Sequence, residues 1–144
     1  MGVPAEDSTA GASTEAQMEL VGALFDASAR DDLEGYLALL TEDAEFDFSD
    51  VERPYRGVYR GHEQIRSLYR HLDEPWREKA FELQDAVLLT GGVLVDVTRR
   101  SRTAAGLAVQ TATTALITIR GERIARVKTF GARADALRAA GLAD

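Results

Sequence analysis

Three acids and two phenylalanines alternate through AEFDFSD, residues 44–50: Glu45, Phe46, Asp47 and Phe48, then, past Ser49, Asp50. On a strand, carboxylates two residues apart share one face, from which a general base could be aimed into a pocket; the intervening rings share the other. Both sets cannot face inward. Burying each phenylalanine is worth roughly 1.5–3 kcal/mol, whereas unpaired carboxylates lose by burial. The expectation is therefore that Phe46 and Phe48 face the interior while the acids stay hydrated, with Asp47 and Asp50 at a rim.

The second polar group of interest is in VLVDVTRRS, residues 93–101. Arg99 shares parity with Val93, Val95 and Val97, so it can reach an interior and there bind a carboxylate or polarise a carbonyl. Asp96 has the opposite parity and faces out. The plainer reading leaves Arg99 and Arg100 solvated at a strand end. GHEQIR, residues 61–66, has Arg66 where an HExxH motif needs its second histidine, so no zinc site is expected. Most of the ten aromatics are core by default. Buried tyrosine hydroxyls and the Trp76 indole N–H nevertheless need partners, which the mouth of a cavity supplies. Tyr59, Tyr69, Trp76, Arg99 and Thr113 are thus candidates to line an apolar pocket, joined by Phe25, Phe46, Phe48, Ala115 and Phe130. Weak candidates for acid–base work are Asp47, Tyr59, Tyr69 and Arg99.

The elements that must position these groups follow from periodicity. MGVPAEDSTAGASTEA, residues 1–16, lacks large apolar residues beyond Val3 and reads as a disordered lead-in to a single domain over 17–142. Met18, Val21, Leu24 and Phe25 recur at helical spacing, as do Leu33, Tyr36, Leu37 and Leu40 behind the cap candidates Asp31 and Asp32; the two helices form a hairpin. The strand of residues 44–50 follows, then a loop with a short extended piece, then a third helix over 62–72. Residues 80–90, 93–101, 107–119 and 124–130 read as a four-strand antiparallel meander, its first turn at Gly91-Gly92. Residues 132–141 close as a short helix with Gly141 at its C-cap. Leu94 beside Val93 and Val95, and Leu116 beside Ile117, put apolar residues on both sheet faces. A second copy of the chain is the simplest cover for the outer one.

With 144 residues, one core is expected. No cysteines means no disulfide, thiol nucleophile or cysteine-held metal. A net charge of −7 disfavours nucleic acid, and TRRSR, residues 98–102, is the only local basic cluster. No apolar run approaches the ~18 residues that span a bilayer, and no secretory start is visible. The expected compartment is the cytoplasm.

The order of elements, together with DLEGYLALLTEDAEFDFSD, YRGVYRGHEQIRSLYRHLDEPW, LITIRGERIARVKTF and RADALRAAGL, resembles the nuclear transport factor 2-like superfamily and, within it, the SnoaL-like group. The resemblance covers about residues 17–142. It implies an α+β fold in which a cone-shaped, curved antiparallel sheet wraps around helices (a cystatin-like α+β barrel), commonly dimeric, with a pocket in its open end. Steroid isomerases, polyketide cyclases and epoxide hydrolases share that fold. In this chain the isomerase's general base falls on Phe48 and its proton donors near Leu24 and Ala115; the cyclase's acid falls near Thr114 or Ala115. The isomerase positions are apolar, and no carboxylate stands at any of them. For the epoxide hydrolase's Asp–Arg–Asp arrangement the nearest material is Asp85, Asp96, Arg99 and Arg100. The reading is accordingly a small apolar-molecule pocket protein, a carrier or an enzyme of undetermined reaction, without cofactor or metal. Its alternatives are an isomerase, hydratase or cyclase working by acid–base chemistry, and a dimeric interaction module using the outer sheet face.

Overall fold

The computed structural model describes residues 14–51, 56–73, 76–103 and 105–142, with the side chains of 71–73 and 76–78 left out. Helix α1, Thr14–Ala29, buries Gln17, Val21, Leu24 and Ala27 along one stripe. It starts inside the expected lead-in, whose residues 1–13 lie outside the described ones. Asp31, at φ +58, turns the chain, and the Asp32 carboxylate accepts the Gly35 N–H at 3.0 Å to start α2, Leu33–Ala38. Strand β1, Leu40–Asp50, begins four residues earlier than its alternation indicates. The pairing of Leu40 with Ile124 and the bond from the Ile124 N–H to the Leu39 carbonyl draw the chain out of the helix there.

After β2, Val58–Arg60, and α3, Gly61–Asp73, come β3 (Trp76–Leu89), β4 (Gly92–Thr103), β5 (Ala108–Arg120) and β6 (Arg123–Phe130), then α4, Arg133–Ala139. The strands form one curved, unclosed sheet in the order β2-β1-β6-β5-β4-β3. All neighbours are antiparallel except β1 and β6. The expected meander is thus β3 to β6, and the parallel β1–β6 pair joins it to the strand of rings and acids. The first hairpin turn sits one residue earlier than Gly91-Gly92, because Leu89 pairs with Gly92. Gly91 supplies the positive φ, +77, and Gly92 lies in the strand, where an added Cβ would stand 2.3 Å from the Ile117 carbonyl oxygen.

The concave face packs α1, α2 and α3 against Phe46, Val93, Val95, Ile117, Ile124 and Val127. Leu94, Leu116 and Phe130 project from the convex face onto Ala136 and Leu137 of α4. Of the apolar residues expected on the outer face, Leu94 is fully buried and Leu116 partly buried beneath the chain's own last helix. Asp85, at φ +51, marks a bulge between Gln84 and Val87. It lets β3 give Phe81 and Leu83 to the concave core and Val87 and Leu89 to the convex one.

Candidate functional site

Side chains on the concave face of four strands pass from fully buried to partly exposed toward the same end of the sheet. On β4 the series is Val93, Val95, Val97 and then Arg99; on β5 it is Ile117, Ala115, Thr113 and then Thr111. On β1 it runs Ala44, Phe46, Phe48, and on β6 Ile124, Val127, Thr129. The closed end is a dry core. Toward the open end Arg99, Thr111, Thr113, Phe48 and Thr129 keep access to solvent, while Ser101, the next residue of that face on β4, is buried.

Aromatic rings border that end in an unbroken run. Tyr59 meets Phe48 at 6.4 Å between centroids, Phe48 meets Phe46 at 6.5 Å, Phe46 meets Tyr36 at 6.0 Å, and Tyr36 meets Tyr69 at 5.0 Å. Lys79 Nζ closes the run, 4.7 Å from the centre of the Tyr69 ring. On the same face of β3, Phe81 packs against Phe25 of α1 at 5.3 Å and stands opposite Arg99 in the register. Several elements therefore contribute to one wall: α1, α2, α3 and strands β1 to β4.

Lys79 ties this wall together. Its side chain is 5% exposed, and Nζ lies 3.2 Å from Asp31 Oδ1. It donates to Ser28 Oγ at 3.3 Å and to the Tyr69 hydroxyl at 3.4 Å, while that hydroxyl donates to the Ser28 carbonyl at 3.2 Å. The β3 edge is thereby held to the end of α1 and to α3. Nε and Nη2 of Arg99 are withdrawn from solvent.

The carboxylates went elsewhere. Glu45 and Asp47 project from the convex face, opposite the phenylalanines, yet Asp47 is only 5% exposed. The expectation that it stays hydrated is thus corrected: alternation fixed the faces, but β6 supplies cations that make burial tolerable. Arg126 Nη2 lies 3.1 Å and Lys128 Nζ 3.4 Å from Asp47 Oδ2, while Oδ1 accepts from the Ser49 hydroxyl at 2.6 Å and from its N–H at 2.9 Å. Burial pushes the carboxyl up, but the Ser49 bonds and the Lys128 charge outweigh it, and the group ends below its ordinary value. Glu45 is likewise held low, chiefly by Arg60 at 2.9 Å against a smaller rise from burial, with Arg126 adding to the lowering. Asp96 pairs with Arg133 of α4 at 2.6 Å and accepts from the Thr114 hydroxyl at 2.9 Å.

The structure brings together Phe25, Phe46, Phe48, Tyr59, Tyr69, Arg99 and Thr113 of the residues singled out in the sequence, with Ala115 deeper on the same face. It separates Phe130, whose ring belongs to the convex cluster with Leu94 and Ala136. A register irregularity in β6, between its Ile119–Ile124 and Thr118–Arg126 pairings, shifts that strand's alternation. The Trp76 backbone pairs with Thr103, and its side chain lies outside the described residues. His62 Nε2 lies 3.1 Å from the Thr41 carbonyl and ties α3 to β1. Lys79 and Tyr36 are additions to the site. Lys79 shares parity with Phe81 and Leu83, a signal masked by starting the strand at Ala80 rather than Trp76.

Residues 21–127 match the model of the SnoaL-like domain. No curated protein matches the chain. Among solved structures it is similar to TerC co-crystallized with polyporic acid, with TM-score 0.71 and 17% identity over 85% of this chain and 96% of that one. It is similar to a Burkholderia pseudomallei NTF2-like protein of unknown function, with TM-score 0.71 and 22% identity over 87% and 97%. A Mycobacterium tuberculosis protein in complex with estradiol-17beta-hemisuccinate matches with TM-score 0.70 and 11% identity over 80% and 92%. At these identities the likeness concerns the fold. Among the described residues, no helix is long and apolar enough to cross a membrane.

Proposed function

Since the chain belongs to the SnoaL-like domain family, whose fold serves more than one function, we propose from its own geometry that it binds one small, largely apolar, ring-bearing molecule at the open end of the sheet. The observation that carries this reading is the loss of burial along the concave face toward one end, at the place where the run from Tyr59 to Tyr69 offers ring faces and edges. Ring–ring contacts in preferred tilted or edge geometries add about 0.5–1.5 kcal/mol each beyond the area they bury. The complexes of two structural relatives with polyporic acid and with estradiol-17beta-hemisuccinate lend support from the fold. Of the acid–base candidates, Tyr59, Tyr69 and Arg99 remain on the concave side. Any reaction here would proceed without a β1 carboxylate as base, because Asp47 faces away.

The test is titration with the uncharged fluorescent probe N-phenyl-1-naphthylamine. Saturable emission at one probe per chain is expected. Thr113→Trp, which places an indole beside Val97 at the open end, should weaken binding at least about tenfold, or ~1.4 kcal/mol, with the unfolding curve little changed. Absence of saturable binding, or an affinity unaltered in a folded T113W, would refute the reading.

A further inference from the structure

Two cations, Lys79 and Arg99, stand at the open end, together with the Asp31 carboxylate 3.2 Å from Lys79 Nζ. Lys79 stands opposite Ser101 and Phe81 opposite Arg99 in the β3–β4 register, so Lys79 and Arg99 are diagonal neighbours on the concave face. Such positions have Cα atoms about 7–8 Å apart and are within mutual reach of long side chains. Around them on the same face are Thr111, opposite Arg99, Ser101, and the hydroxyl of Tyr69, 3.4 Å from Lys79 Nζ. By contrast, Glu82, Asp96, Glu45 and Asp47 project from the convex face, each with a basic partner there: Arg100, Arg133, Arg60 and Lys128 respectively. A chain of net charge −7 has thus placed two cations and several hydroxyls together on the side of the sheet that carries the rings.

We propose that the bound molecule carries a carboxylate, seated against the Arg99 guanidinium with Lys79 beside it, while its ring system lies along Phe81 and the aromatic run. This deepens the reading above and rests on it. Arg99 takes the larger role, because its planar fork matches a carboxylate with two parallel N–H donations. Lys79 already shares its charge with Asp31 at 3.2 Å, so its contribution is the weaker one. The partial burial of Arg99 matters as well, since a contact shielded from solvent is screened less by salt than one in open water.

The matched probes 2-naphthoate and 2-naphthamide, titrated calorimetrically into the full chain at pH 7, separate charge from shape. The acid is expected to bind about tenfold more tightly than the amide, the difference between a charge-assisted pair and a neutral one. Arg99→Met should abolish that preference, read as the ratio of the two probes' affinities within the variant. Lys79→Met should reduce it two- to threefold, and Arg100→Gln, on the convex face, should leave it intact. Equal affinity of the parent for the two probes, or a preference surviving in R99M, overturns the carboxylate assignment while amide binding keeps the pocket. If neither probe binds, both readings fall. The parent's preference is read without any variant, so a poorly folding R99M does not shield the idea.

Discussion

Asp47→Asn keeps the size of a nearly buried side chain and removes its charge, which makes it the sharpest probe of where the acids of β1 act. Asn can still accept from the Ser49 N–H and hydroxyl, so the loss is confined to the ion pairs and the charge assistance of those bonds. Arg126 is 40% exposed at its side chain and Lys128 25%, so both cations return partly to water when the carboxylate goes. The ~3–5 kcal/mol of an uncompensated buried charge is therefore an upper bound. A half-exposed pair with Arg126 contributes up to about 1 kcal/mol, and the more sheltered Lys128 pair with the weakened Ser49 bonds about another. The variant should lose about 2 kcal/mol. At an m value of about 2 kcal/mol/M in urea, that lowers the unfolding midpoint by about 1 M at pH 7. The sign with pH is fixed by the lowered carboxyl: the unfolded chain takes up the proton more readily, so acid favours unfolding. The parent's advantage should be complete above about pH 5 and shrink as pH falls through the ordinary aspartate value near ~3.9 toward the lower folded one. Naphthoate affinity should not change. A variant as stable as the parent at pH 7, or one that keeps its stability but loses ligand binding, would refute the convex-face role.

Phe130→Ala should destabilise by about 3–5 kcal/mol, as removal of a large buried ring does. It should leave probe affinity untouched, because that ring packs under α4 rather than toward the open end; loss of binding in a folded variant would contradict the assignment. Gly92→Ala places a Cβ 2.3 Å from the Ile117 carbonyl, and overpacking of that kind costs about 1–3 kcal/mol. Gly91→Ala strains only a φ of +77 and should cost about 1 kcal/mol. Urea midpoints ranking G91A below G92A would show the turn register to be different.

Much of the candidate site's geometry was legible because strand parity is a strong constraint. Phe46, Phe48 and Arg99 lie on the face that alternation assigned to them, and Thr113 pairs with Val97 on that face. Tyr59 joins them because β2 pairs with β1 and sets it opposite Phe46. The departures have specific causes. Alternation carried across the β6 irregularity cannot place Phe130, and the bulge at Asp85 changes which residues of β3 face in. Lys79 fell outside because charged residues weaken the signal for a strand's start; its burial depends on Ser28, Asp31 and Tyr69, distant in sequence.

The burial of Asp47 follows from a pattern that no strand shows by itself. Along β1, Glu45, Phe46 and Asp47 run acid, ring, acid; along β6, Arg126, Val127 and Lys128 run cation, apolar, cation. The parallel register sets these residues beside one another one by one. A slip of one position would lay Phe46 beside a cation and Asp47 beside Val127, turning one strand's apolar set toward the other's charges. The same alternation that keeps acids out of the concave face therefore selects the partner strand and its register. In this light the charges of AEFDFSD specify the joint between the first strand and the meander, and that joint holds Phe46 and Phe48 where a ligand's rings would meet them.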